Sequence, residues 1–184
     1  GGITNAGTIT AGTLGSSVAF PAGHIIQIVQ TVKTDRFIGA GNTNEQVITG
    51  YNRSITPLKV GSKILINYAF DTSADGANTA RSYMERDIGG AGYAKLTSIH
   101  GDDPGGSYGD PSLSHAGTSA DYQANRHSAM YLDAPSYTEG QSITYRIGVQ
   151  SEDNSRPVVV GASQRDNTQY HPRTASILIL MEVS

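Results

Sequence analysis

Apolar residues recur at every second position along this chain, and no segment carries a helical repeat. In 63–70, KILINYAF, Ile64, Ile66, Tyr68 and Phe70 share one face. In 142–150, SITYRIGVQ, Ile143, Tyr145, Ile147 and Val149 point one way, while Thr144, Arg146 and Gln150 point the other. A period of two is the signature of half-buried strands. Gly, Pro, Thr and Ser interrupt every window, so a long helix is excluded. The shorter segments 24–33, 45–49, 51–56, 79–88, 94–100, 126–132 and 157–161 also read as strands between turns. Eight to ten short strands predict an all-β fold, an antiparallel β-sandwich or jelly-roll-like head.

The last strand, 175–183, is ASILILMEV. It places Ile177, Ile179, Met181 and Val183 on one face and Leu178 and Leu180 on the other. A strand apolar on both faces is covered on both. This predicts a second layer beyond the strand's own sheet, such as another subunit, with Leu178 and Leu180 as candidate interface residues.

Residues 1–19 behave differently. Gly2, Gly7 and Gly12 recur every five residues, with Ile3, Ile9 and Leu14 close behind them. So few apolar groups make no core in one copy. Several copies wound about an axis bury them, and the glycines permit close approach. Ile3, Ile9 and Leu14 are therefore candidate trimer contacts in a fibre shaft or neck. The same residues also read as a flexible Gly/Thr linker. The expected organisation is a shaft segment at 1–19 and a β-sandwich head at 20–184. The chain opens on Gly1-Gly2-Ile3, with neither an initiator Met nor a signal peptide, and is expected to be a fragment of something longer.

Only 16% of residues are charged and the net charge is −3. The solvent-facing residues are then mostly neutral and polar, which suits glycan or protein contact. The 13 Lys and Arg are scattered, so nucleic acid is not an expected partner. No apolar run is long enough for a membrane helix. Cys is absent, which removes disulfide and thiolate chemistry.

Two stretches read as loops: 71–79, DTSADGANT, and 101–125, GDDPGGSYGDPSLSHAGTSADYQAN. The first starts like a calcium loop at Asp71, Ser73, Asp75 and Gly76. Its twelfth position is Ser82, not the bidentate Glu such a loop needs, so it reads better as a turn. The second is longer than a connection requires. His100, Asp102, Asp103 and Asp110 gather there, and paired carboxylates are the tools of glycoside hydrolysis. A Gly-rich loop lacks rigid support for tuned acids, so a solvated acidic loop is the plainer reading. The five His residues have no ligand spacing; no metal, cofactor or catalytic residue is expected. Of ten Tyr residues, Tyr68 and Tyr145 fit core faces. Tyr93, Tyr108, Tyr122, Tyr137 and Tyr170 fall near turns, where a rigid ring with a polar tip suits wet recognition surfaces or subunit contacts.

The ordered set FPAGHIIQIVQTVKTDRF, SITPLKVGSKILINYAF, RSYMERDIGG, SAMYLDAPSYTEGQSITYRIGVQ and SILILMEVS resembles the C-terminal head domains of bacteriophage tail fibres and receptor-binding proteins of marine and freshwater phages. The resemblance covers about residues 20–184. It implies an extracellular virion structural protein that forms a homotrimer, joins the rest of the fibre and attaches to a host-surface glycan or outer-membrane protein. It supplies no binding residues. The loop composition points to Asp102, Asp103, Tyr108, Asp110, His115 and Tyr122 as receptor-contact candidates. A structural trimerisation cap or head-decoration fibre is the alternative, and a polysaccharide depolymerase a third.

Overall fold

The computed structural model describes residues 22–74, 78–102, 112–118, 120, 122–166 and 173–184. Among these, eleven strands and one 3-10 turn form the architecture. In chain order the strands are β1 (Ile25–Lys33), β2 (Phe37–Ile38), β3 (Gln46–Ile55), β4 (Lys63–Ala74), β5 (Asn78–Ile88), β6 (Ala94–Lys95), β7 (Ser114–Thr118), β8 (Asn125–Asp133), β9 (Ile143–Ser151), β10 (Val158–Val160) and β11 (Ser176–Val183). The fold is all-β, and every strand pairing is antiparallel. A six-stranded sheet runs β1-β11-β4-β10-β2, with β8 on the other side of β4. A five-stranded sheet runs β3-β9-β5-β6, with β7 also on β5.

The core lies between the sheets. β4 contributes Ile64, Ile66, Tyr68 and Phe70, and β9 contributes Ile143, Tyr145, Ile147 and Val149, all buried as the alternation requires. β3 adds Ile48, Tyr51 and Ile55. Each such side chain stabilises by roughly 1.5–3 kcal/mol on leaving water. Two polar ties cross the layers. The Tyr51 hydroxyl, on β3, donates to the Ile177 carbonyl of β11 at 2.7 Å. Tyr145, on β9, donates to Asp133 Oδ2 of β8 at 2.7 Å, and Arg86 of β5 grips both oxygens of that carboxylate at 2.8 and 2.6 Å. Burial, with the neighbouring Asp133 charge, pushes the Tyr145 phenol well above its ordinary range.

Three sequence expectations are corrected here. Leu178 and Leu180 are not subunit contacts: both are 0% exposed inside one chain. They sit opposite Tyr68 and Ile66 of β4, so the pleat turns them into the sandwich. Ile177, Ile179, Met181 and Val183 face outward instead and stay half-buried. Second, 71–74 is not a loop. β4 runs through it, and Asp71, Thr72, Ser73 and Ala74 are buried, with Ser73 Oγ donating to the Ala162 carbonyl at 3.0 Å. Third, 101–125 is not one loop, because Ser114–Thr118 is β7, paired with β5. Residues 1–21, with Ile3, Ile9 and Leu14, lie outside the described residues.

At one end of the core sits Glu182, 0% exposed. Its oxygens accept from the backbone N–H groups of Leu58 (2.9 Å) and Lys59 (3.0 Å) and from Gln27 Nε2 (2.7 Å). This one carboxyl group ties β11 to β1 and to the β3–β4 turn. Its removal takes the acceptor away from three donors, and a hydrogen bond to a charged group is worth roughly 1.5–3 kcal/mol. Glu182→Ala is expected to cost about 3 kcal/mol in urea denaturation and lower the melting temperature by roughly 10 °C. Glu182→Gln, which keeps an acceptor, loses less.

His127 is buried on the inner face of β8, stacked on Phe70 with 5.0 Å between centroids. Its Nε2 is 2.6 Å from the Thr72 hydroxyl. Burial holds the imidazole below its ordinary range, outweighing the opposing pull of Asp71. His100 shifts the same way, through burial and then Lys95. A lowered histidine pKa means that the unfolded chain takes up the proton first. Stability is therefore expected to fall as pH drops below about 6.5 and to level off once the folded-state imidazoles titrate. Melting temperatures between pH 7 and pH 5 check this, and His127→Gln is expected to flatten the dependence.

Candidate functional site

The outer face of the five-stranded sheet is polar and built from facing side chains. Register brings Glu85 of β5 opposite both Arg146 of β9 and Lys95 of β6. It brings Arg81 opposite Gln150 and His115, and Tyr83 opposite Gly148. On the far side Asn52 and Ser54 of β3 stand beside Arg146 and Thr144. The Ser54 and Thr144 hydroxyls bond each other at 2.7 Å.

The charges on this face are paired locally. Arg146 Nε donates to Glu85 Oε2 at 2.6 Å. Arg81 donates twice to Glu152 Oε1, at 3.1 Å from Nε and 2.7 Å from Nη2. His115 Nε2 lies 3.8 Å from the same oxygen, close enough for an ionic but not a hydrogen-bonded contact. Lys95 pairs with Glu45. Burial works against the Glu152 carboxylate, but bonds from Arg81 and Thr79 outweigh it and hold its pKa below the ordinary value.

Two tyrosines belong to this face. Tyr93, in the turn between β5 and β6, carries the Arg146 guanidinium 3.5 Å above its ring. That stacking fixes a ring that stays 37% exposed. Tyr83 is only 4% exposed. Its ring lies on the backbone of Gly148, where an added Cβ would fall 2.2 Å from Cζ. Burial raises the Tyr83 phenol pKa, with Glu45 and Glu85 adding to the shift. A fixed, part-exposed ring bordered by hydroxyls, amides and paired charges offers stacking together with directional hydrogen bonds. That is the chemistry a polyhydroxylated ligand requires.

Of the predicted contact residues, one is placed on this face by strand register. His115 lies on it, exposed on β7. Tyr122, 59% exposed, stands in the turn that leads into β8. Asp102 is exposed just beyond the 3-10 turn Thr97–Ile99. Asp103, Tyr108 and Asp110 lie outside the described residues. His100, from the proposed acid cluster, is tied inward: its Nε2 accepts from the Met84 backbone N–H at 3.2 Å. Tyr137 is structural, donating to the carbonyls of Lys59 and Ser62 at the β3–β4 turn. Sequence reasoning turned Arg146, Thr144 and Gln150 outward but left Arg81, Glu85 and Glu152 unremarked. Alternation carries the outward signal; which strands are neighbours is not written in it.

Gly148→Ala is expected to expel the Tyr83 ring and cost about 1–3 kcal/mol in denaturant unfolding. In a Tyr83→Ala background the same change is expected to cost far less, and a double-mutant cycle measures the difference.

No protein-family model matches this chain. No curated protein matches it either. Solved structures similar to it include one described as "CBM4 structure and function", at 12% identity and a TM-score of 0.26, with 85% of this chain and 92% of that chain covered. A likeness at that level adds nothing to what the strand order and the two sheets already establish.

Proposed function

We propose that this chain is the head of a bacteriophage fibre, a homotrimeric binding module that attaches to a host-surface glycan. The observation that carries the reading is the polar face of the five-stranded sheet. There Arg146 clamps Tyr93 over a field of paired charges and hydroxyls. Cations already neutralised by Glu85, Glu152 and Glu45 do not call for phosphate or nucleic acid. Neutral, hydroxyl-rich ligands fit better. Asp102, His115 and Tyr122 lie on the segment between the 3-10 turn and β8, with His115 set on the face by β7, and weak single sites gain strength when several copies act together.

A second reading is a structural cap that holds fibre chains in register without touching a receptor. The outward apolar side of β11 favours it, since that side serves assembly whatever the polar face does. Deleting 104–118 does not separate the two readings, because it removes β7 from the sheet. Point variants do. Tyr93→Ala and the combined change Asp102→Ala, His115→Ala, Tyr122→Ala are each expected to weaken host adsorption about tenfold, the effect of losing one good stacking contact. Melting is expected to stay within about 2 °C, as for surface substitutions. Unchanged adsorption in both variants leaves the structural cap as the surviving reading.

A further inference from the structure

The outward side of the six-stranded sheet is the opposite of the polar face. β1 presents Ile28 and Val32, 58% and 48% exposed. β8 presents Met130 and Leu132, 63% and 43% exposed. Between them lie Leu65 of β4 and the outward side of β11. Register puts these side chains in continuous rows: Ile28 opposite Met181, Met181 opposite Leu65, and Leu65 opposite Leu132. The polar positions within the field, Gln30, Asn67 and Ser128, are uncharged. Charge stands only at its ends, at Lys63 and at the Arg126–Asp71 pair, 3.3 Å apart.

Four adjacent strands about 4.8 Å apart and eight residues long, at about 3.3 Å each, cover on the order of 400–500 Å² of flat area. Side-chain relief enlarges that figure. Monomers rarely leave more than a few hundred Å² of continuous apolar surface bare. A standard interface takes about 800 Å² from each partner, with a centre depleted of charge. The face therefore has the neutrality of an interface centre and, before side-chain relief is counted, roughly half to two-thirds of one partner's share of area. A sugar finds no aromatic ring among its rows, and nucleic acid finds no cationic field. What complements a flat, neutral, aliphatic sheet is another such sheet.

We infer that this face is the contact between copies of this chain, the β1-β11-β4-β8 sheet of one subunit packing on its neighbours. The inference rests on the homotrimeric reading and gives it a location: the aliphatic sheet turns toward the shared axis and the polar sheet toward the ligand.

The full chain tests this by sedimentation and multi-angle light scattering. A mass of three times 19.3 kDa is expected. Ile28→Lys combined with Met130→Lys is expected to give a single-chain mass with unchanged far-UV circular dichroism. A wild-type monomer overturns both the inference and the trimer. A trimer that survives both lysines overturns the face and leaves the trimer standing. A wild-type dimer split by the lysines supports the face and overturns the threefold. Should the lysine variant fail to fold, a label decides. The chain has no Cys, so Met130→Cys carrying pyrene is expected to show excimer emission, and Ser54→Cys on the polar face is not. Excimer at Ser54 alone, or at neither position, overturns the inference.

Discussion

The register of β11 against β4 is the constraint on which the rest of the molecule depends. Strand side chains alternate, so a slip of one residue exchanges a strand's two faces. In most half-buried strands the hydrophobic pattern forbids such a slip, because it would put polar groups in the core. β11 lacks that protection: Ile177, Ile179, Met181 and Val183 are as apolar as Leu178 and Leu180. What distinguishes its faces is Glu182. In the observed register it lies opposite Ile64, turned inward, where Leu58, Lys59 and Gln27 supply its donors. A one-residue slip sends the carboxyl group to the outside and leaves those donors facing a side chain that cannot accept. A buried acid thus acts as a specificity device, fixing one of two pairings that hydrophobicity alone scarcely separates.

Once that register is set, the chemistry of the two outer faces follows from the order of the strands. β4 is the hub of one sheet, with β11 and β8 on its flanks, and each adds apolar residues to the outward rows. β5 and β9 lie at the centre of the other sheet, and their outward residues include Arg81, Glu85, Arg146 and Gln150. Opposite charges on adjacent strands satisfy one another across the ladder. The polar face is consequently self-consistent without a counterion, while the aliphatic face is not self-consistent in water. The proposed division into an assembling side and a contacting side rests on that asymmetry.

The strands were legible because alternation is a local property. Ile64, Ile66, Tyr68 and Phe70 announce the inward face of β4 within eight residues, and the fold buries all four. Two errors have one cause. Asp71 and Ser73 look like turn chemistry, yet they continue β4 because β10, β8 and Arg126 receive them there. Ser114–Thr118 has no strong alternation, yet becomes a strand because β5 offers a free edge. In both places a distant partner overrides local preference. The candidate site was legible only in fragments. His115 and Tyr93 were visible as exposed types near turns, but the stack of Arg146 on Tyr93 joins residues 53 positions apart and needs the β5–β9 pairing to exist.

The misassignment of Leu178 and Leu180 follows from the same physics. A two-sided strand states that both faces are covered and is silent about which face its own chain covers. Only the neighbours decide. Tyr68 and Ile66 stand beside these leucines and already face the core, so the leucines must join them. The demand for a second apolar layer is then not removed but transferred to Ile177, Ile179 and Met181, where it spreads across β1, β4 and β8 into a surface much larger than one strand. What began as a property of eight residues becomes a property of a whole sheet, and that enlargement supports the proposed packing between copies more strongly than the last strand alone could.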